Sequence, residues 1–281
     1  MSTSITQNLT SMDIFKTLAP LTHEPFNDAP ATRLLKNTNH LGWVRSFIQL
    51  IQTEKSIDFT QLDQETIYKV QQAFDRVLDS MVNFGFDVNK NQAWENCKPI
   101  HKAAGEGCLM ILNALIKKGA DTNGYDYSNT CGYTPLYSAA FANQIKAAEL
   151  LVQNGADVNK PSTGARKVLP LHIATSPEMC ALLVRHGCPV NARSEDTFHE
   201  SALHWNAHCA RPDTVLALLK LGANDFNHPT AGNALGVAKK VHDKTYSVMM
   251  GNPWNPVATR LTVDLLANPD LAKTIFPSQK L

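Results

Sequence analysis

Apolar residues come in bursts at helical spacing, and polar turns separate the bursts. Ile67, Val70, Phe74, Val77, Leu78, Met81 and Val82 recur at three- and four-residue steps, which predicts a helix with Asp63 as its cap. Leu109, Leu112, Leu115 and Ile116 repeat the pattern, and so do Leu150, Leu151 and Val152. Leu34, Leu35, Leu41, Val44, Phe47, Ile48 and Ile51 predict an earlier helix within 31–53. Val257, Leu261, Val263, Leu265 and Leu266 predict a last one after the turn Asn252-Pro253-Trp254-Asn255-Pro256.

A second periodicity lies over the first. Lys98-Pro99-Ile100-His101, Thr134-Pro135-Leu136-Tyr137, Leu169-Pro170-Leu171-His172, Ser201-Ala202-Leu203-His204 and, more weakly, Asn233-Ala234-Leu235-Gly236 start 36, 35, 32 and 32 residues apart. Small residues follow each: Ala103-Ala104, Ala139-Ala140, Ala174, Ala207 and Ala238. In phase with them run Gly85-Phe86-Asp87-Val88-Asn89, Gly119-Ala120-Asp121-Thr122-Asn123, Gly155-Ala156-Asp157-Val158-Asn159, Gly187-Cys188-Pro189-Val190-Asn191 and Gly222-Ala223-Asn224. Proline at the second motif position suits the first turn of a helix, where its missing N–H removes no bond. Thr134 and Ser201 are placed to cap. The glycines sit where a left-handed helix end is expected. From the start at 169 to Gly187 is 18 residues, against 21 in the other copies. Ser176-Pro177-Glu178 reads as an immediate new cap, so the inner–outer turn is trimmed there and the helix pair survives.

These two phased motifs resemble the ankyrin repeat over roughly residues 84–240. The resemblance implies an all-α solenoid of stacked helix-turn-helix units with finger loops and helical caps at both ends. The expected division is a flexible N-terminus (1–24), a helical cap (25–83), ankyrin repeats (84–240), and a modified last repeat with the C-terminal cap (241–281). It implies that His101, His172 and His204 bridge turns by hydrogen bonds. It also implies that asparagines of the glycine-led turns, Asn159 and Asn191 above all, are open to hydroxylation in an animal cell. Partners of the family usually bind the fingers and the exposed ends of the inner helices. Carried over copy by copy, that surface contains Trp94, Glu95, Tyr133, Phe141, Arg166, Phe198, Glu200 and His208. Tyr133 and Phe141 are expected to be largely exposed, where folding does not require aromatics.

Composition narrows the remaining choices. In 281 residues, 26 Lys and Arg face 25 Asp and Glu, so no basic field points to nucleic acid or an anionic membrane. No apolar run approaches a membrane span, and residues 1–20 lack the pattern of a signal peptide. Six cysteines without a CxxC pair predict free thiols in a reduced, cytoplasmic setting. His204 and His208 have a zinc-compatible spacing but no third ligand near in sequence. Cys97 and His101 could form a nucleophile and base, yet His101 is already used by the motif. No catalytic residue, cofactor or metal is therefore expected. The function expected is a monomeric, non-enzymatic module binding a partner protein on its concave face. Two alternatives stand beside it. One is an effector that an intracellular bacterium delivers into a host cytosol. The other is an enzyme or modifier acting through the N-terminal segment, with the repeats selecting substrate.

Overall fold

The computed structural model describes residues 46–83, 85–90, 97–127, 131–195, 199–224, 232–244 and 255–268. Trp94, Glu95, Phe198 and the apolar positions from Leu34 to Val44 lie outside the described residues.

The helices are α1 (46–55), α2 (Gln64–Asn83), α3 (Pro99–Glu106), α4 (Leu109–Lys117), α5 (Pro135–Phe141), α6 (Ile145–Gln153), α7 (Pro170–Ile173), α8 (Pro177–Arg185), α9 (Ala202–His208), α10 (Pro212–Lys220), α11 (Ala234–His242) and α12 (Pro256–Ala267). They pack as two layers: α3, α5, α7, α9 and α11 touch in sequence on the inner side, and α2, α4, α6, α8, α10 and α12 on the outer. Among the described residues there is no strand; single bridges join Asp126 to Tyr133 and Arg193 to Ser201. The architecture is the all-α stack the periodicity predicts.

The inner layer is close because its contacts are small. Ala103, Ala104, Ala139, Ala140, Ala174, Ala207 and Ala238 are all buried. Ile100, Leu136, Leu171 and Leu203 fill the space beneath them, and burying each such side chain contributes ~2 kcal/mol. Outer helices end at glycines with positive φ, for example Gly119 at 79° and Gly155 at 85°. There Ala120 N donates to Leu115 O and Ala156 N to Leu151 O, the pattern of a left-handed helix cap.

An asparagine ladder ties the units together. Asn89, Asn123 and Asn191 each donate through Nδ2 to the next turn, at Gly119 O, Gly155 O and Gly222 O. Each also accepts at Oδ1, from the backbone N–H of Asp121, Asp157 and Asn224 respectively. Asn159 donates to Gly187 O at 3.3 Å, but Pro189 stands where the next donor should be and has no N–H.

Several expectations need correction. The third copy is shortened within its inner helix, not only in the turn: α7 has four residues, and Ala174 already leaves helical geometry. Ser176 Oγ then caps α8 by accepting from Met179 N at 3.2 Å. Thr134 caps α5 as expected, whereas the Ser201 hydroxyl turns to the His204 ring at 2.9 Å and makes no backbone cap. In α12 the exposed face holds Val257 (74%) and Leu261 (39%), while Thr259, Thr262, Leu265 and Leu266 face inward. The buried threonines are tolerated because each hydroxyl bonds back to its own helix, at Pro256 O and Ala258 O.

Asp63 does cap α2, with Thr66 N donating to Oδ1 at 2.6 Å. α2 lies beside α4 as an outer helix, with Gln71 donating to Met110 O and Lys117 paired to Asp75 at 2.8 Å. Glu54 of α1 caps another helix altogether, because its carboxylate accepts from Met110 N and Ile111 N at the start of α4.

Candidate partner-binding groove

The motif histidines fix the floor of the groove. His101 Nε2 donates to Tyr133 O at 2.9 Å, His172 Nε2 to Glu200 O at 3.1 Å and His204 Nε2 to Gly232 O at 3.2 Å. Each bond joins an inner helix to the start of the following unit, as the family resemblance implied. Tyr137 fills the same slot in the central copy, and no hydrogen bond from its side chain crosses to the next unit among the described residues. Its ring stacks on Tyr133 instead, with centroids 4.3 Å apart and planes at 22°. Tyr133 is consequently half-buried and not largely exposed as the sequence suggested, while Phe141 is 53% exposed.

Between α3 and α5 these rings border a cavity of about 500 Å³. Its walls include Tyr133, Tyr137 and Phe141, with His101, Asp126 and Cys97 toward the finger side. Gly105 occupies the slot that Phe141 fills one copy later, and its missing side chain leaves the room. A Cβ there would touch only Ser138, at 3.8 Å or more.

A second cluster lies farther along. Arg166 from a finger sits over the Trp205 ring at 5.2 Å and within 3.6 Å of the Glu200 carboxylate. His208 reaches the same carboxylate at 3.1 Å. Burial alone would push Glu200 upward, but the His208 hydrogen bond and the nearby Arg166 charge hold it below the usual carboxylate range. Glu200 is 6% exposed and His208 also lies mostly inside, so the freely presented member is Arg166. The structure thus gathers Arg166, Glu200 and His208 in one place and Tyr133 with Phe141 in another.

Sequence reasoning missed Trp205 and Tyr137. Trp205 stands immediately after the motif histidine, where the other copies carry Lys102, Ser138, Ile173 and Val237, and that unlike residue was the available signal.

The nucleophile and metal readings meet ordinary structural roles. Burial lowers His101 to about 4, which leaves it a weak base, and Cys97 donates toward Lys98 O at 3.5 Å. His204 and His208 spend their Nε2 atoms on Gly232 O and Glu200. Burial pushes Cys108, Cys180 and Cys188 up to about 12, so these thiols stay protonated. Among the described residues no helix is long and apolar enough to cross a membrane.

Comparison with known proteins agrees with this geometry. A family model of ankyrin repeats in three copies matches residues 67–162, beginning inside α2. Inversin of Canis lupus familiaris is 34% identical over 119 residues, covering 41% of this chain and 10% of inversin. Human inversin is 33% identical over 119 residues, covering 41% and 11%. An ankyrin repeat protein of Rickettsia felis is 32% identical over 108 residues, covering 34% of this chain and 46% of that protein. The chain therefore spans about a tenth of the length of the inversins it matches. Ankyrin repeats are protein–protein interaction modules, and the family is typically non-enzymatic. The matched repeats, the phased motifs and the two-layer helical stack together identify this chain as an ankyrin-repeat protein.

Proposed function

We propose that the chain binds a partner protein along the face formed by its fingers and inner helices, with no chemistry of its own. The observation that carries this reading is Phe141: a large aromatic ring, 53% exposed, beside an open cavity with two stacked tyrosines. Folding gains little from an exposed ring, whereas interfaces concentrate their energy in such anchors. Arg166, stacked on Trp205, supplies a polar anchor farther along the same face, paired with a Glu200 carboxylate that His208 holds in place. Trp94, Glu95 and Phe198, which the sequence assigns to the same surface, lie outside the described residues.

The test compares partner capture by wild type and Phe141→Ala, followed by calorimetry with each purified candidate. Loss of about 2 kcal/mol in binding with an unchanged melting temperature supports the groove. Unchanged affinity would place the working surface elsewhere. Tyr133→Ala is the less clean variant, since its ring also packs on Tyr137.

A further inference from the structure

The chain holds two Asn-Gly pairs, Asn123-Gly124 and Asn154-Gly155. Such a pair can react with itself. The glycine N, once it has lost its proton, attacks the asparagine side-chain carbon, and the missing glycine Cβ leaves that approach uncrowded. The fold treats the two pairs differently. Asn123 is a rung of the ladder and is held at both ends of its amide: Nδ2 donates to Gly155 O at 2.7 Å and Oδ1 accepts from Asp157 N at 2.8 Å. Gly124 is buried, its N donates to Asp121 O, and a Cβ built there would meet the Asp121 carboxylate at 3.0 Å. Negative charge thus lies close to the nitrogen that would have to lose a proton. Asn154 and Gly155 are both exposed, at the C-terminal end of α6. Among the described residues the Asn154 amide bonds only within its own helix, Nδ2 donating to Leu150 O at 2.8 Å. A Cβ on Gly155 would meet nothing within 4 Å. Gly155 N donates to Val152 O at 3.1 Å in the last turn of the helix, the part of a helix that opens most readily.

We propose that Asn154 is a self-modification site, converted to isoaspartate with water as co-reactant, and that the product loosens the asparagine ladder beside it. Fraying of the turn takes Asn154 out of its ψ of 27° and brings Gly155 N against Cγ. The N–Cγ bond forms, the Cγ–Nδ2 bond breaks and ammonia leaves, giving a cyclic imide. Water then opens the ring. Attack at Cγ leaves an ordinary aspartate; attack at the main-chain carbonyl carbon leaves isoaspartate, with the chain routed through the side-chain carbons. One water is taken up, one ammonia is released, and nothing is oxidised or reduced. Either product puts a carboxylate where the helix dipole opposes negative charge, and Leu150 O loses its donor. Isoaspartate also lengthens the main chain by one methylene directly before Gly155. Gly155 O is the acceptor of the Asn123 rung, so the added length displaces the anchor of that rung.

Ageing the full chain in mildly alkaline buffer, folded in one arm and unfolded in urea in the other, tests this. Peptide mass spectrometry follows the exchange of NH2 for OH at each site, and a methyltransferase specific for isoaspartate identifies the isomer. In urea the two sites are expected to convert at comparable rates. In the folded chain Asn154 should convert roughly tenfold faster than Asn123, because only Asn123 needs a bond between units to open first. Asn154 staying intact in the folded chain, or Asn123 converting as fast, overturns the site. Asn154→Gln, whose longer side chain closes the ring far more slowly, separates the consequence from general ageing. The urea midpoint of wild type should fall in step with isoaspartate at Asn154, and that of Asn154→Gln should hold. A wild-type midpoint unchanged after conversion, or an equal fall in both proteins, overturns the loosened ladder.

Discussion

Two glycines of this chain should respond to the same substitution with opposite signs. Gly155 ends α6 with φ at 85°, and a Cβ built there meets nothing within 4 Å. Space is therefore no obstacle, and the whole cost of Gly155→Ala is the left-handed backbone, about 1–2 kcal/mol for a residue with a Cβ. Gly105 lies inside α3 with ordinary helical backbone, and its Cβ would make only normal contacts with Ser138. Gly105→Ala removes glycine's extra freedom in the unfolded chain and should gain about 0.5–1 kcal/mol. The gap between the two variants is then roughly 2 kcal/mol. Urea midpoints read by circular dichroism suit this comparison, because a repeat array need not unfold in one step and the fitted slope reveals it. Gly155→Val should lie below Gly155→Ala. A Gly155→Ala midpoint equal to wild type, or a Gly105→Ala midpoint below it, would refute the assignment of these two glycines to strain and freedom.

Other outcomes are equally specific. Burial raises Glu54 to about 7 against an ordinary 4.5, with the Met110 and Ile111 amides pulling the other way. The protonated form is thus favoured by folding, and the stability it brings is full below about 4.5 and lost as pH rises through about 7. Glu54→Gln should flatten that slope in melting curves taken across this range; an unaltered slope would assign it to other groups. Deleting residues 251–281 removes Thr259, Thr262, Leu265 and Leu266 from the end of the stack, so aggregation or a lowered midpoint is expected, visible by light scattering. On exposure to an asparaginyl hydroxylase, Asn159 should gain oxygen before Asn191, since Asn191 accepts from Asn224 N at 2.9 Å and Asn159 has only Pro189 opposite; peptide masses with neither site altered would rule out both.

What the sequence revealed, and what it hid, divides along a physical line. Local rules act within a few residues, so Asp63 and Thr134 as caps and the glycine-led turns could be read directly. The inner helix α7 broke the rule for its copy because the three missing residues came out of the helix, and spacing alone does not say which segment shrinks. Contacts across units were harder still. Tyr133 looked exposed by its position, but its burial depends on Tyr137, a residue in a slot that three other copies fill with histidine. Glu200 and His208 were expected on the groove face, yet both lie mostly inside, where their pairing and the Arg166 charge offset the cost of taking the carboxylate out of water. Val257 and Leu261 helped to predict α12 by their spacing, yet the helix buries Thr259 and Thr262 in their place, each satisfying its own hydroxyl.

The joint between α5/α6 and α7/α8 differs mechanically from its neighbours. Tyr137 takes away the histidine tether there, Pro189 takes away one rung of the asparagine ladder, and α7 offers a single turn of helix to lean on. The fingers carry the load instead: Thr163 N donates to Gly132 O, Gly132 N donates to Thr163 Oγ1, and Tyr125 Oη donates to Pro161 O at 2.8 Å. The polar ties across this joint are thus concentrated in the fingers. Beyond the fingers, this joint is held by the packing of α5 on α7 and of α6 on α8. A partner laid across those fingers would therefore act as a splint on the joint that lacks a histidine tether.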